Sequence, residues 1–167
     1  MEGDDMGAFI MGRDLTARGH VFRYNFFHDL APHHMNVCLY FDDLTGGGST
    51  VYGNVFLRAG NSATIFINHG SYLTIINNIF IDCPTPYVCN DLNEKFISGN
   101  IETFEKRLKD VGYDRSPWKE LYPELLNYKD FFAPKKSDEM PIHNQFARNL
   151  IVESARKPYF KFKALKV

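Results

Sequence analysis

The chain is short of most features that would classify it quickly. Across its 167 residues, 19 lysines and arginines stand against 20 aspartates and glutamates, a formal net charge of −1. The basic excess expected of a nucleic-acid or anionic-membrane partner is therefore missing, and neither partner is expected. No apolar run approaches the roughly 20 residues of a membrane span. Residues Met1 to Met6 are acidic and lack the positive and apolar regions of a secretory signal. The three cysteines, Cys38, Cys83 and Cys89, form no even set and have no metal-ligand spacing. Buried apolar thiols are the better reading, with a Cys83–Cys89 disulfide as the alternative.

What is present is a repeat. Asparagine recurs between two short β-rich runs in Val21–Phe27, Thr50–Phe56, Leu73–Phe80 and Gln145–Ile151. The first three, Asn25, Asn54 and Asn78, are separated by 29 and 24 residues, a period at which units must stack to bury a core. Two short strands meeting at one Asn need a corner residue that tolerates the left-handed region, which Asn does. Stacked corner amides can also bond to one another as a ladder. A β-sandwich would instead want Asn-Gly or Asp-Gly hairpins between the strands, and these corners have none. The expected fold is all-β, a right-handed parallel β-helix of about four to five coils with a helical insertion.

The segments Gly12–Gly19, Asn25–Asp29, Tyr40–Asp43, Tyr52–Phe56 and Asn77–Cys83 are similar to those of the pectate-lyase-like right-handed β-helix proteins of carbohydrate-degrading bacteria. The resemblance covers about residues 7 to 155. It implies the β-helix fold, a polysaccharide or oligosaccharide partner and an extracellular or periplasmic location, with the export address outside these residues. Proteins of that group are usually longer, so residues 1–167 are expected to be one β-helix domain, the C-terminal part of a longer solenoid. A composition 44% hydrophobic and 15% aromatic can fill a narrow stacked core.

A second set of apolar runs, Ala8–Met11, Val37–Phe41, Thr64–Ile67 and Tyr87–Cys89, predicts one long parallel sheet with a strand per coil. After these strands come Gly12-Arg13-Asp14, Asp42-Asp43, Asn68-His69 and Asn90-Asp91. Stacking would place Arg13, Asp42, Asn68 and Asn90 in one column and Asp14, Asp43, His69 and Asp91 in the next, with rungs about 4.8 Å apart. Such a polar strip suits groove-binding of an extended polymer. Two flanking carboxylates are the minimum for glycoside hydrolysis. Asp42, Asp43, Asp14 and Asp91 are accordingly the candidate catalytic residues, and Asp14 beside Asp43 would raise one carboxyl to make a general acid. Arg13, His69, Asn68, Asn90 and Tyr40 are candidates for binding substrate, His69 also as a proton shuttle.

Each of these has a plainer reading, because Asp, Asn and Gly after strands are ordinary turn formers. No metal is required. Lyases of the resembling group often use calcium, for which Asp42, Asp43, Asn68, Asn90 and Asp91 offer oxygens, but a lyase also wants a basic residue there and the strip has only Arg13. A hydrolase ranks first, a calcium-dependent lyase second, and a non-catalytic glycan-binding or structural solenoid is the rival, relying on aromatics such as Tyr40, Tyr72 and Trp118. His28, His33 and His34 could bind a transition metal, though no zinc motif matches and a solvated loop reads better.

The repeat breaks between about residues 101 and 140. Phe104, Leu108 and Val111 recur at helical spacing up to Gly112, and Trp118 opens a second helix with Leu121, Leu125 and Leu126. Trp118 and Tyr122 are expected as anchors more than as sugar platforms. Pattern returns at Asn149, and Tyr159–Lys163 alternates as an outer strand. The first coil would present an unpaired edge, to be covered by another copy in a homo-oligomer or by missing N-terminal coils.

Overall fold

The computed structural model describes residues 4–30, 35–45, 47–90, 94–131, 143–153 and 159–160. Short strands follow one another in threes. The first coil holds β1 (Met6–Met11), β2 (Val21–Arg23) and β3 (Phe26–His28); the second holds β4 (Asn36–Phe41), β5 (Thr50–Tyr52) and β6 (Val55–Leu57). The third holds β7 (Ala63–Asn68), β8 (Thr74–Ile76) and β9 (Ile79–Ile81), and the fourth β10 (Tyr87–Asn90), β11 (Gln145–Ala147) and β12 (Leu150–Val152), followed by β13 (Tyr159–Phe160). Among the described residues every pairing is parallel, in three sheets ordered β1-β4-β7-β10-β13, β11-β8-β5-β2 and β12-β9-β6-β3. The protein is thus all-β with a small helical part, an arrangement consistent with a β-helix solenoid. The expected long sheet is present, extended by β13; Lys161 and Lys163 lie outside the described residues.

The corners explain why three-residue strands suffice. Between β2 and β3 and at its equivalents, the left-handed residue is the one before the asparagine: Tyr24, Gly53, Asn77 and Arg148 have φ of 57°, 63°, 55° and 54°. The asparagine is therefore selected for its amide rather than for tolerance of positive φ, which corrects the sequence-based reason for it. Asn25 Nδ2 donates to Asn54 Oδ1 at 2.9 Å, Asn54 Nδ2 to Asn78 Oδ1 at 3.0 Å, and Asn78 Nδ2 to Asn149 Oδ1 at 3.1 Å. The backbone N–H of each of these donors bonds to the same oxygen. Each amide thus satisfies peptide-like groups that the turn would otherwise bury unpaired.

Inside the ladder, alternate side chains stack in file. Phe27, Phe56 and Phe80 occupy one column, with ring centroids 5.2 and 4.9 Å apart and planes within 7° and 12° of parallel. Phe56 and Phe80 are fully buried, and each such side chain contributes about 1.5–3 kcal/mol. Cys38, Cys83 and Cys89 are buried free thiols, so the disulfide alternative falls. Burial pushes the Cys38 thiol up, further from the reactive thiolate.

The helical insertion starts earlier than expected, with α1 at Glu94–Val111 rather than 101. Gly112, at φ 66°, closes it: Tyr113 N donates to Leu108 O and Gly112 N to Lys109 O, a Schellman cap. Phe104 and Leu108 are fully buried, whereas Val111 is exposed. Then come α2 (Trp118–Leu121) and a 3₁₀ segment, Pro123–Phe131. Leu125 is buried but Leu121 and Leu126 are exposed, because the helix shortens and tightens before one face is complete. Phe104, Leu108, Leu125 and Tyr128 pack with Leu15 and Leu44 of the coil turns, so the insertion seats on the solenoid flank. Among the described residues no helix is long and apolar enough to cross a membrane.

Candidate functional site

The strands of the long sheet run out at one level. Met11 pairs with Phe41, Phe41 with Ile67, Ile67 with Cys89 and Asn68 with Asn90. The residues that follow therefore stack as Gly12, Asp42, Asn68 and Asn90, and the next column is Arg13, Asp43 and His69. The expected columns were displaced by one residue in the first coil: Arg13, not Asp14, stands beside Asp43, and its N–H donates to Asp43 O at 3.1 Å. Arg13, Asp43 and His69 have φ of 59°, 43° and 60°, so this second column is itself a left-handed corner. Asp91, and the His33 and His34 of the histidine cluster, lie outside the described residues.

Asp42 and Asp43 are joined through one amide. Asn68 Nδ2 donates to Asp42 Oδ1 at 3.0 Å and to Asp43 Oδ1 at 3.1 Å. Arg13 Nε donates to the other Asp43 oxygen, Oδ2, at 2.9 Å. Asp43 is buried while the Arg13 side chain is 68% exposed, so the pair points its cation outward over an inward carboxylate. The hydrogen bond and charge of Asp43 hold the Arg13 guanidinium above its ordinary range. Asp42 differs: burial raises its carboxyl above the ordinary range, the Asn68 hydrogen bond opposes this, and the Asp43 charge adds to it. Two neighbouring carboxylates thus have unequal surroundings, one with a cation and one without.

The other sequence-predicted residues divide. Asp14 accepts from Thr16 N at 2.9 Å and Thr16 Oγ1 at 2.7 Å, and lies 3.5 Å from Arg107 Nη1 of α1. It builds a turn and ties the insertion down, away from the Asp42–Asp43 pair. Tyr40 is buried, edge-on to Phe66, and its hydroxyl donates to Asp5 Oδ1 at 3.1 Å; its ring is no platform for a sugar. His69 is buried and lines a small void with Leu15, Arg18, Leu44, Gly47 and Ser71. Asn90 is half-buried at the end of the column. Tyr72 packs beside His143, with centroids 4.7 Å apart, and Trp118 against Tyr122 at 5.4 Å. A calcium ion at Asp42 and Asp43 would need the Asn68 amide turned to present its oxygen, and among the described residues no three His, Cys, Asp or Glu side chains gather as metal ligands.

One residue escaped sequence reasoning. Arg18 pairs with Glu124 of the 3₁₀ segment, with only 3% of its side chain exposed. Its guanidinium carbon lies 5.2 Å from the centre of the Tyr122 ring, and it packs against Gly47, where an added Cβ would press on the guanidinium. Burial pulls its pKa down despite Glu124. The two partners are 106 residues apart, and no local pattern announces them. Comparison with protein families, with curated proteins and with solved structures finds no match to this chain.

Proposed function

We propose that the chain is a right-handed parallel β-helix of the pectate-lyase-like kind and that it cleaves glycosidic bonds in an exported setting, through Asp42 and Asp43. The observation that carries this reading is the unequal carboxyl pair, Asp42 raised by burial and Asp43 held by Arg13, both bridged by Asn68. Two carboxyls in such unequal surroundings suit the acid and base assignments of a hydrolase. Asp42 gives its proton to the leaving glycosidic oxygen as the bond breaks. Asp43 accepts the proton of the attacking water, and Asn68 and Asn90 bind sugar hydroxyls along the strip. A calcium-dependent lyase ranks below this, because the strip supplies only Arg13 as a base and that group is engaged with Asp43.

The second reading is a non-catalytic glycan-binding or structural solenoid, and the burial of Asp43 favours it. Reducing-sugar release and the ultraviolet absorbance of an unsaturated product, followed across a panel of polysaccharides, separate the readings. Asp42→Asn is expected to lose about 100- to 10,000-fold in rate, as removal of a general acid does, with substrate binding retained. A new ultraviolet signal would mean elimination. Glycan binding without turnover, unaltered in Asp42→Asn, would establish the binding solenoid.

A further inference from the structure

Among the described residues, Asp43 and Leu44 are the one place where two successive residues both have positive φ, 43° and 69°. Thr45 N donates to Asp42 O at 3.2 Å across them, so residues 42–45 close a β-turn with the φ pattern of type I′. That turn favours Asn or Asp at its first central position and Gly at its second. Asp43 obeys the rule and Leu44 breaks it, because a leucine Cβ crowds the following carbonyl in the left-handed region. Strain of this kind persists only where the surrounding structure holds it, and it gathers at working sites.

Two sets of contacts hold the turn. On the coil side, Thr45 Oγ1 shares its proton between Asp42 O at 2.6 Å and Met11 O at 3.1 Å, and Leu44 N donates to Asn68 O at 3.0 Å. On the other side, Leu44 is only 4% exposed and packs with Phe104 and Leu108 of α1 and with Leu125 and Tyr128 of the 3₁₀ segment. Arg107 of α1 also donates to Arg13 O. The insertion thus grips the backbone of Arg13 and the residue that follows Asp43, the two halves of the ion pair in the strip.

We infer that Leu44 is a positioning residue: its side chain, seated in the insertion, holds the strained turn that aims Asp43 at Arg13 and Asn68. The inference rests on the proposed role of Asp43 in glycosidic cleavage, but the geometry it concerns can be read without substrate. Glycine at this position would make the same turn without strain, and nothing would then tie the turn to the insertion. Leucine couples the seating of residues 94–131 to the placing of the carboxylate. A leucine that merely docked the insertion would, when removed, cost packing and leave Asp43 where it is.

Leu44→Ala and Leu44→Gly separate these roles, because both lose the buried side chain while only the second relieves the positive φ. The readout is hydrogen exchange of the Arg13 Nε–H, which the bond to Asp43 Oδ2 protects. In Leu44→Ala the turn relaxes, and exchange is expected to be about tenfold faster, the factor that a hydrogen bond of ordinary strength carries. In Leu44→Gly it is expected to stay within about twofold of the parent. Leu108→Ala loosens the same seat from the helix side with residues 42–45 unchanged; it is expected to speed exchange as Leu44→Ala does, and adding Leu44→Gly to restore protection. On a cleaved glycan, kcat is expected to follow the same order with KM unchanged. Exchange in Leu44→Ala equal to the parent's, or as fast in Leu44→Gly as in Leu44→Ala, would overturn the inference. A parent chain that cleaves no glycan yet shows the contrast between the two variants would overturn the hydrolase reading and leave the positioning role standing.

Discussion

Two corners of the same coil make the same backbone turn and fill it differently. At the corner between β2 and β3 and its repeats, each coil supplies an asparagine, and the amides of the inner two, Asn54 and Asn78, are bonded above and below. Where the long sheet ends, the stacked residues are unlike: Gly12, Asp42, Asn68 and Asn90, then Arg13, Asp43 and His69. A ladder of identical amides is periodic because each rung needs what the next rung offers. A column of glycine, acids, amides, a cation and an imidazole has no such rule to satisfy, and its bonds run sideways between unequal partners. Identity marks where stacking dictates the residue. Variety marks where the fold leaves the residue open to another use.

The sharpest way to break this contrast is to cut the ladder. Asn78 is buried and its Oδ1 accepts from both the backbone N–H and Nδ2 of Asn54, while its own Nδ2 donates to Val51 O and Ile76 O. Asn78→Ala would strand donors and acceptors on both neighbouring coils, and a loss of roughly 3–5 kcal/mol is expected by urea unfolding. Asn25→Ala, at the exposed end of the same ladder, removes only donors that water can replace, and should cost under about 1 kcal/mol. Equal losses at the two positions would mean that the ladder is ornament and that core packing alone specifies the corner.

This contrast also marks what was legible in the sequence. The asparagine period and the apolar runs exposed the coils, because a repeated hydrogen-bond demand leaves a repeated residue. The polar strip was found in the right place but one residue out of step in the first coil. Gly12 looked like a turn residue outside the columns, yet it occupies the rung beside Asp42, with room there for an added Cβ at 3.5 Å. The start of α1 was hidden by Ser98-Gly99-Asn100, weak helix formers that packing of Phe104 and Leu108 overrides. The Arg18–Glu124 pair was invisible because only the seated insertion brings its halves together.

A smaller effect is expected in the strip itself. Asp43→Ala removes the acceptor of Arg13 and one of the two acceptors of Asn68, but the Arg13 head can turn to water and Asn68 keeps Asp42. What remains is the cost of a Cβ at φ 43° without an acidic side chain's local bonds, and a loss of about 1–2 kcal/mol is expected. Asp43→Gly relieves the left-handed strain and should recover about half of it in the same unfolding measurement. A loss as large as that of Asn78→Ala would place the strip with the ladder as a structural necessity and weaken its candidacy as a working site.

The smallest effect carries the most information about chemistry. Burial raises the Asp42 carboxyl above its ordinary 3.8, so the folded state holds that proton more tightly than the unfolded chain does. Stability from this source is fully present below the unfolded pKa and is lost as pH climbs through the raised folded value. Asp42→Asn keeps an oxygen for Asn68 and carries no charge at any pH. The melting temperature of this variant relative to the parent is therefore expected to rise between about pH 3 and pH 7, with the gain concentrated just above the ordinary carboxyl range. A difference that stays flat with pH would mean that Asp42 is solvated like any surface acid, and the acid of the proposed pair would then have to be sought elsewhere. A difference that grows, together with lost turnover at neutral pH, would show the strip giving up stability to hold a proton where a glycosidic oxygen can take it.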